Sequence, residues 1–160
     1  MVAMICTGRA GSAFAAEIGT MKVAEEVDAL ITMGLDPQRF LVVPKVLALL
    51  MMLPLLTIFG NLAGVFGGGI IGVMYLELPW ITYYQQTVAR IEMIDITEGL
   101  TKSLVFAFLI ASVGCYRGLR NEQGAQGVGL ATTAAVVNAI FLIIVTDTLL
   151  TWVFTMLSSS

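Results

Sequence analysis

Four apolar stretches alternate with short charged ones along the 160 residues. Met1 to Ala16 is apolar except for Arg9. As a helix rising about 1.5 Å per residue it reaches roughly 24 Å, short of a hydrocarbon core of about 30 Å, so it is expected to be the tail of a span. A secretory signal would carry its positive charge ahead of the apolar core rather than at its middle. Val46 to Leu76 is uncharged for 31 residues and contains Pro54, which predicts a long, kinked or tilted span. Asp95-Ile96-Thr97-Glu98 has the spacing of a capping box and should open a further span that ends near Tyr116, with Lys102 inside it. The last span is expected from about Ala134 to Leu157, interrupted by Asp147.

From Gly8 to Pro37 the pattern changes, and this stretch is expected to face water. Between Glu17 and Arg39 it carries Glu17, Glu25, Glu26, Asp28 and Asp36 against Lys22 and Arg39, while Val23, Val27, Leu30 and Ile31 recur at helical spacing. That predicts a short amphipathic helix with one apolar face. Gly34 suits the left-handed position that closes a helix, and Asp36 followed by Pro37 suits an N-cap and first-turn proline opening the next. The composition of this segment also fits a solvated connector between two spans.

Within the Val46 to Leu76 stretch, Gly60, Gly64, Gly68 and Gly72 follow at four-residue steps. This is a small-x-x-x-small ladder that lets another helix come close, whether from the same chain or from a second protomer. Glycine is also simply commoner in membrane helices. Tyr75, Trp80, Tyr83 and Tyr84 then crowd together as side chains do at the headgroup level. Pro79 can start a short interfacial helix on which Trp80, Tyr84, Val88 and Ile91 share a face. Lys22, Arg39, Lys45, Arg117 and Arg120 fall on one side of the spans, and Arg90 with Lys102 on the other. The first side, including the loop of Arg117, Arg120 and Glu122, is therefore expected in the cytosol.

Composition agrees with membrane insertion. Hydrophobic residues make up 58% of the chain and charged ones 12%, about half the usual charged share. No cluster of Lys and Arg suits nucleic acid. The absence of histidine removes imidazole acid–base chemistry and most zinc sites, so neither catalytic nor metal-ligating residues are expected. Cys6 and Cys115 lie in apolar runs without C-x-x-C spacing and should be buried, inert thiols. No G-x-x-x-x-G-K-[ST] loop is present, so if ATP drives this protein the nucleotide is bound by another chain. GAQGVG at Gly124 to Gly129 lacks the lysine of such a loop and fits a flexible connector.

Two charges lie in the wrong solvent. A central aspartate costs about 2.5 to 3.5 kcal/mol on insertion scales, outweighed by the aliphatic and aromatic residues around Asp147, so the helix inserts while the acid must face protein or water. Counted from the inner ends of their spans, Lys102 lies about 21 Å deep and Asp147 about 20 Å, similar depths on neighbouring helices. Lys102 snorkelling to phosphates and Asp147 bonding a threonine across a helix contact would account for them. So would a functional pair. Arg9 fits either the inner interface or a brace for Glu17.

The run GRAGSAFAAEIGTMK from Gly8, then EEVDAL from Glu25, MGLDP from Met33 and FLVVPKVLA from Phe40, resembles the MlaE (YrbE) family of ABC-transporter permeases, which move phospholipid or related apolar lipids. Gly8, Arg9, Gly11, Glu17, Gly19, Glu25, Gly34, Asp36, Pro37, Pro44 and Pro54 all fall on the family's pattern. The resemblance implies an all-α integral membrane protein: part of one span, a cytoplasmic coupling helix, then three further transmembrane helices with a short external interfacial helix. It implies a single MlaE-type permease domain over residues 1–160, truncated at its N-terminus by the family's interfacial helix, first span and start of the second, through a fragment or a misplaced start.

The same resemblance makes residues 20–37 the segment that docks on a separate cytoplasmic ATPase, with Glu17, Glu25, Glu26, Val27, Asp28, Leu30 and Asp36 as the coupling residues. Further implied partners are a second permease protomer, an Mce-domain lipid-binding protein outside, and phospholipid itself, in a bacterial inner membrane and with no cofactor. The family's lysine in a K-S-x-V-F-A context and its last-span aspartate are matched by Lys102 and Asp147, which would then face the substrate cavity. A secondary transporter would instead show internal repeats with broken helices at matching positions, and no repeat is found. An inert membrane scaffold or non-functional fragment is the third reading.

Overall fold

The computed structural model describes residues 1–75, 79–91, 93–121 and 124–158, and every regular element among them is helical. Helix α1 (Val2–Cys6) passes through a π-helical turn (Thr7–Gly11) into α2 (Ser12–Val23), and α3 (Glu26–Thr32) follows. A second π-helical turn (Gln38–Val42) leads into α4 (Val43–Tyr75), then come α5 (Trp80–Arg90), α6 (Met93–Leu119) and α7 (Gly124–Ser158). Three segments, Gln38–Met74, Met93–Leu119 and Gly124–Leu157, are long and apolar enough to cross a membrane. At about 1.5 Å per residue α7 reaches roughly 52 Å, so its ends extend beyond a hydrocarbon core of about 30 Å. The protein is an all-α membrane protein.

Helix α6 is the centre, packed against α2, α4 and α7. Its buried stripe is Ser103, Phe106, Ala107, Ile110, Ala111, Gly114, Cys115 and Gly118, at the three- and four-residue steps that keep side chains on one helical face. Leu49 and Leu53 from α4, Ala3 from α1 and Ile143 from α7 complete the core. Without a hydrophobic driving force in lipid, such helices associate through close packing, which small residues permit. A Cβ on Gly114 would lie 2.8 Å from the Gly11 carbonyl oxygen, and one on Gly118 would lie 2.8 Å from Ile18 Cβ. The tightest backbone approach described is therefore between the α1–α2 rod and α6, along Gly11 and Ala15 on one side and Gly114 and Gly118 on the other.

That seam changes the expectation for the first stretch. Gly11, Ala15, Ile18 and Gly19 are buried, so the chain does not turn to water at Gly8 but only beyond Gly19, because a small residue every fourth position gives α2 a face that α6 can cover. The Gly60 to Gly72 ladder is not one uniform helix contact within the chain. Gly60 meets Val2, Gly68 meets the Tyr83 hydroxyl, Gly72 meets the Tyr83 ring, and Gly64 faces open space among the described residues. The neighbouring Gly69 receives both Tyr83 and Trp80, and the Tyr83 hydroxyl donates to the Val65 carbonyl at 2.8 Å. Much of the ladder is thus a notch for the aromatic rings of α5.

Several boundaries also move. GAQGVG is not a flexible connector: Gly124 begins α7, Gly127 is buried, and Val128 packs where Gly19 leaves room. The proposed capping box lies inside a helix that starts at Met93, with Asp95 in the first turn, where a negative charge suits the helix dipole. Helix α4 continues through Pro54. Cys115 is buried as expected, whereas Cys6 is only half-buried. Leu76 at the end of the second apolar run and Glu122 in the basic loop lie outside the described residues, as does the side chain of Tyr75.

Candidate functional site

Two places carry the charged residues that the sequence singles out. The first is the connection from α2 to α4. The amphipathic helix expected there is broken at Ala24 and Glu25, where Glu25 takes a left-handed backbone (φ 61°), and only Glu26–Thr32 forms α3. Its end is a Schellman closure: Gly34 has φ 76°, its N–H donates to Ile31 and the Leu35 N–H donates to Leu30. Asp36 Oδ1 accepts from the Gln38 N–H at 3.0 Å, capping the next helical turn behind Pro37 as expected.

The side chains of this segment divide into two groups. Glu17 Oε2 lies 2.6 Å from Lys45 Nζ, so the brace for Glu17 is Lys45 rather than Arg9, and it ties α2 to the start of α4. Lys45 also sits over the Phe14 ring. Asp28 pairs with Lys22 at 2.8 Å, while Glu26 and Asp28 occupy the first turn of α3. Val27 is 3% exposed and Leu30 half-buried, in a helix that packs against α2, so these two are covered by the chain itself. The apolar side chains left uncovered include Val23, Ile31, Met33, Leu35 and Phe40, the last at 60% exposure. Met33, Leu35 and Phe40 escape a search for one helical stripe because they lie in and beyond the turn that closes α3.

The second place is the layer of Lys102 on α6. Its ammonium lies 2.7 Å from Glu98 Oε1, donates to Thr151 Oγ1 at 2.8 Å, and stands 3.6 Å from Asp147 Oδ1. Lys102 and Asp147 are thus brought together across the α6–α7 contact, at the matching depths that residue counting predicts. The closer acid is Glu98, which the sequence pattern places in a capping box. Its signal is the four-residue spacing of Glu98 and Lys102 along one helix, which places opposite charges on one face in the favourable order. Thr151 carries the same signal with respect to Asp147, whose carbonyl accepts its hydroxyl at 2.7 Å.

The cluster holds two carboxylates around one ammonium. Asp147 is its open side, at 53% exposure against 17% for Lys102. On the other side of Lys102 a cavity of about 280 Å³ lies between α1, α4 and α6. Its wall mixes Val2, Leu53 and Phe106 with Thr57, Asn61 and Ser103. Such a wall accepts an apolar chain and offers hydrogen bonds and one cation to a polar group at its end. Among the described residues, Glu17, Lys45, Arg117 and the start of α7 gather at the opposite end of the bundle, as the contacts of Gly19 with Val128 and of Gly118 with Ile18 require.

Known proteins resemble this chain over most of its length. The family model for permease MlaE matches residues 1–153. A probable ABC transporter permease protein of Rickettsia typhi is 43% identical over 151 residues, covering 94% of this chain and 58% of the relative. A probable ABC transporter permease protein of Synechocystis is 41% identical over 152 residues, 95% of this chain and 58% of the relative. The chloroplastic protein Trigalactosyldiacylglycerol 1 of Arabidopsis thaliana is 33% identical over 147 residues, 92% of this chain and 42% of that protein. The chain spans about three-fifths of the length of the bacterial relatives it matches.

Proposed function

The chain belongs to the MlaE permease family, and on that premise we propose that it is the membrane permease subunit of an ABC transporter that moves phospholipids or related lipids between inner and outer membranes. ATP is hydrolysed on a separate cytoplasmic subunit. The observation that carries this reading is Lys102, held between Glu98 and Asp147 beside a cavity in an otherwise apolar bundle. Charged side chains at membrane depth are expensive, and where they face a cavity they mark a substrate path. The apolar wall receives acyl chains and the charged layer meets the headgroup. A relative whose name is that of a diacylglycerol glycolipid is in line with a lipid substrate.

Coupling to the ATPase runs through α3 and its closing turn. Ile31, Met33, Leu35 and Phe40 fill an apolar groove on the ATPase, while Glu25, Glu26 and the Asp36 turn meet basic residues at its rim. Glu17, Val27, Asp28 and Leu30 act indirectly, by fixing this segment on α2 and α4. The working unit pairs two permease protomers in a bacterial inner membrane with an Mce-domain lipid-binding protein outside. Gly64 and the exposed face of α4 are available to the second protomer, and α5 lies at the outer headgroup layer.

The test is reconstitution of the intact permease with its ATPase in vesicles containing labelled phospholipid. Transfer of label to an acceptor that requires both ATP and the permease is the expected result. Equal transfer without ATP, or with a permease-free control, would rule the reading out.

A further inference from the structure

The basic end of the bundle carries a second cavity, unrelated to the Lys102 layer. It is an open groove of about 320 Å³ between α6 and α7, lined by Val113, Tyr116, Arg117, Asn138, Phe141 and Leu142. Phe141 and Tyr116 are 66% and 55% exposed, so the floor is an uncovered apolar surface rather than core. Lys22, Arg39 and Lys45 at this end each have a carboxylate oxygen within 4.0 Å. Arg117 and Arg120 have none among the described residues; Arg117 lines the groove and Arg120 reaches its edge through Tyr116. Arg120 is held in place by its neighbour: Nη1 donates to the Tyr116 hydroxyl at 2.7 Å and the guanidinium lies 5.9 Å from the ring centroid.

An apolar groove between two membrane helices, opening at the basic end onto arginines that have no carboxylate partner among the described residues, fits a ligand that is apolar along its length and anionic at its head. Basic pockets of this kind between helices suit anionic lipid headgroups, and arginine forks suit phosphate oxygens. We infer that this groove binds one anionic phospholipid as a fixed structural lipid, its phosphate at Arg117 and Arg120 and an acyl chain along Val113, Phe141 and Leu142. Asn138 supplies an amide that can bond the glycerol or headgroup. The site lies fifteen residues along α6 from Lys102, about 22 Å, and is separate from the proposed transport path.

The experiment uses the intact permease purified in detergent, without the ATPase, so its outcome does not depend on transport. Native mass spectrometry is recorded after titration with phosphatidylglycerol, with phosphatidylcholine of the same chains, and with inorganic phosphate. The expected result is one phosphatidylglycerol per protomer, bound at least tenfold more tightly than phosphatidylcholine. Arg117→Gln with Arg120→Gln should lose most of that preference, and Phe141→Ser should weaken both lipids. Because these side chains lie at the surface, folding is checked by unchanged α-helical circular dichroism. Equal binding of the two lipids by the wild type, or an unchanged preference in the arginine variant, overturns the inference. So does saturation by inorganic phosphate alone, which would make it a free-anion site. A change of oligomeric state in Phe141→Ser with lipid binding intact would make the groove a contact between copies of the chain.

Discussion

Lys45 Nζ lies 2.6 Å from Glu17 Oε2, and this one ion pair joins the helix before the charged connection to the helix after it. The lysine is 15% exposed in its side chain while the glutamate is 58% exposed, so the acid is the solvent-facing partner of a largely covered base. Everything between them, from Lys22 through the α3 turn to Arg39, hangs from two anchored ends. The coupling proposed for this segment needs such anchoring, because a freely pivoting loop would absorb the movement.

Loss of that anchor should be measurable. Glu17→Gln is expected to lower stability by about 1 kcal/mol, the scale of a partly exposed pair, and to lower the thermal midpoint in detergent accordingly. Glu26→Gln, at an exposed carboxylate in the first turn of α3, should shift the midpoint much less. Equal shifts in the two variants would mean that the pair anchors nothing.

The proposed coupling surface makes a second prediction. Ile31→Asp and Phe40→Asp alter exposed side chains and should abolish co-purification of the ATPase with membrane insertion and folding intact. Val27→Asp places a charge where 3% of the residue is exposed, and it should lower the thermal midpoint of the permease itself. Full ATPase yield with both exposed-site variants would remove the turn beyond α3 from the interface.

Glycines separate by the space around them. Gly114→Ala drives a methyl group to 2.8 Å from a backbone oxygen and should destabilise by about 1 to 3 kcal/mol, as overpacking does. Gly68→Leu should displace the Tyr83 ring and loosen α5. A Cβ on Gly64 meets nothing within 4 Å among the described residues, so the isolated protomer of Gly64→Leu should fold normally. Any loss of assembly in that variant then reports a second chain. If Gly64→Leu leaves both size-exclusion profile and transport unchanged, the α4 face does not pair protomers.

The spans were legible because long uncharged runs admit few other structures, and the Gly34 closure and Asp36 cap were legible because each depends on a few neighbouring residues. The break at Glu25 was not, since a glutamate with a left-handed backbone breaks local preference and is stabilised only by what surrounds it. The seam of Gly11, Ala15, Gly114 and Gly118 was missed for a different reason. It is shared between two helices a hundred residues apart, whereas the Gly60 to Gly72 repeat is conspicuous within one. The depth of Lys102 and Asp147 followed from helical rise alone, but the presence of Glu98 on the other side of the Lys102 ammonium required the direction in which Lys102 extends.

The most direct test of the account is a double-mutant cycle at that cluster. Lys102 and Asp147 stand 3.6 Å apart and share Thr151, so they are close enough for their effects not to add. Lipid transfer is measured in vesicles reconstituted with the ATPase, for wild type, Lys102→Ala, Asp147→Ala and the double variant. The predicted result is a marked loss in each single variant and a double variant that loses clearly less than the two losses combined. Wild-type transfer in both single variants would contradict the account and return the two residues to helix packing.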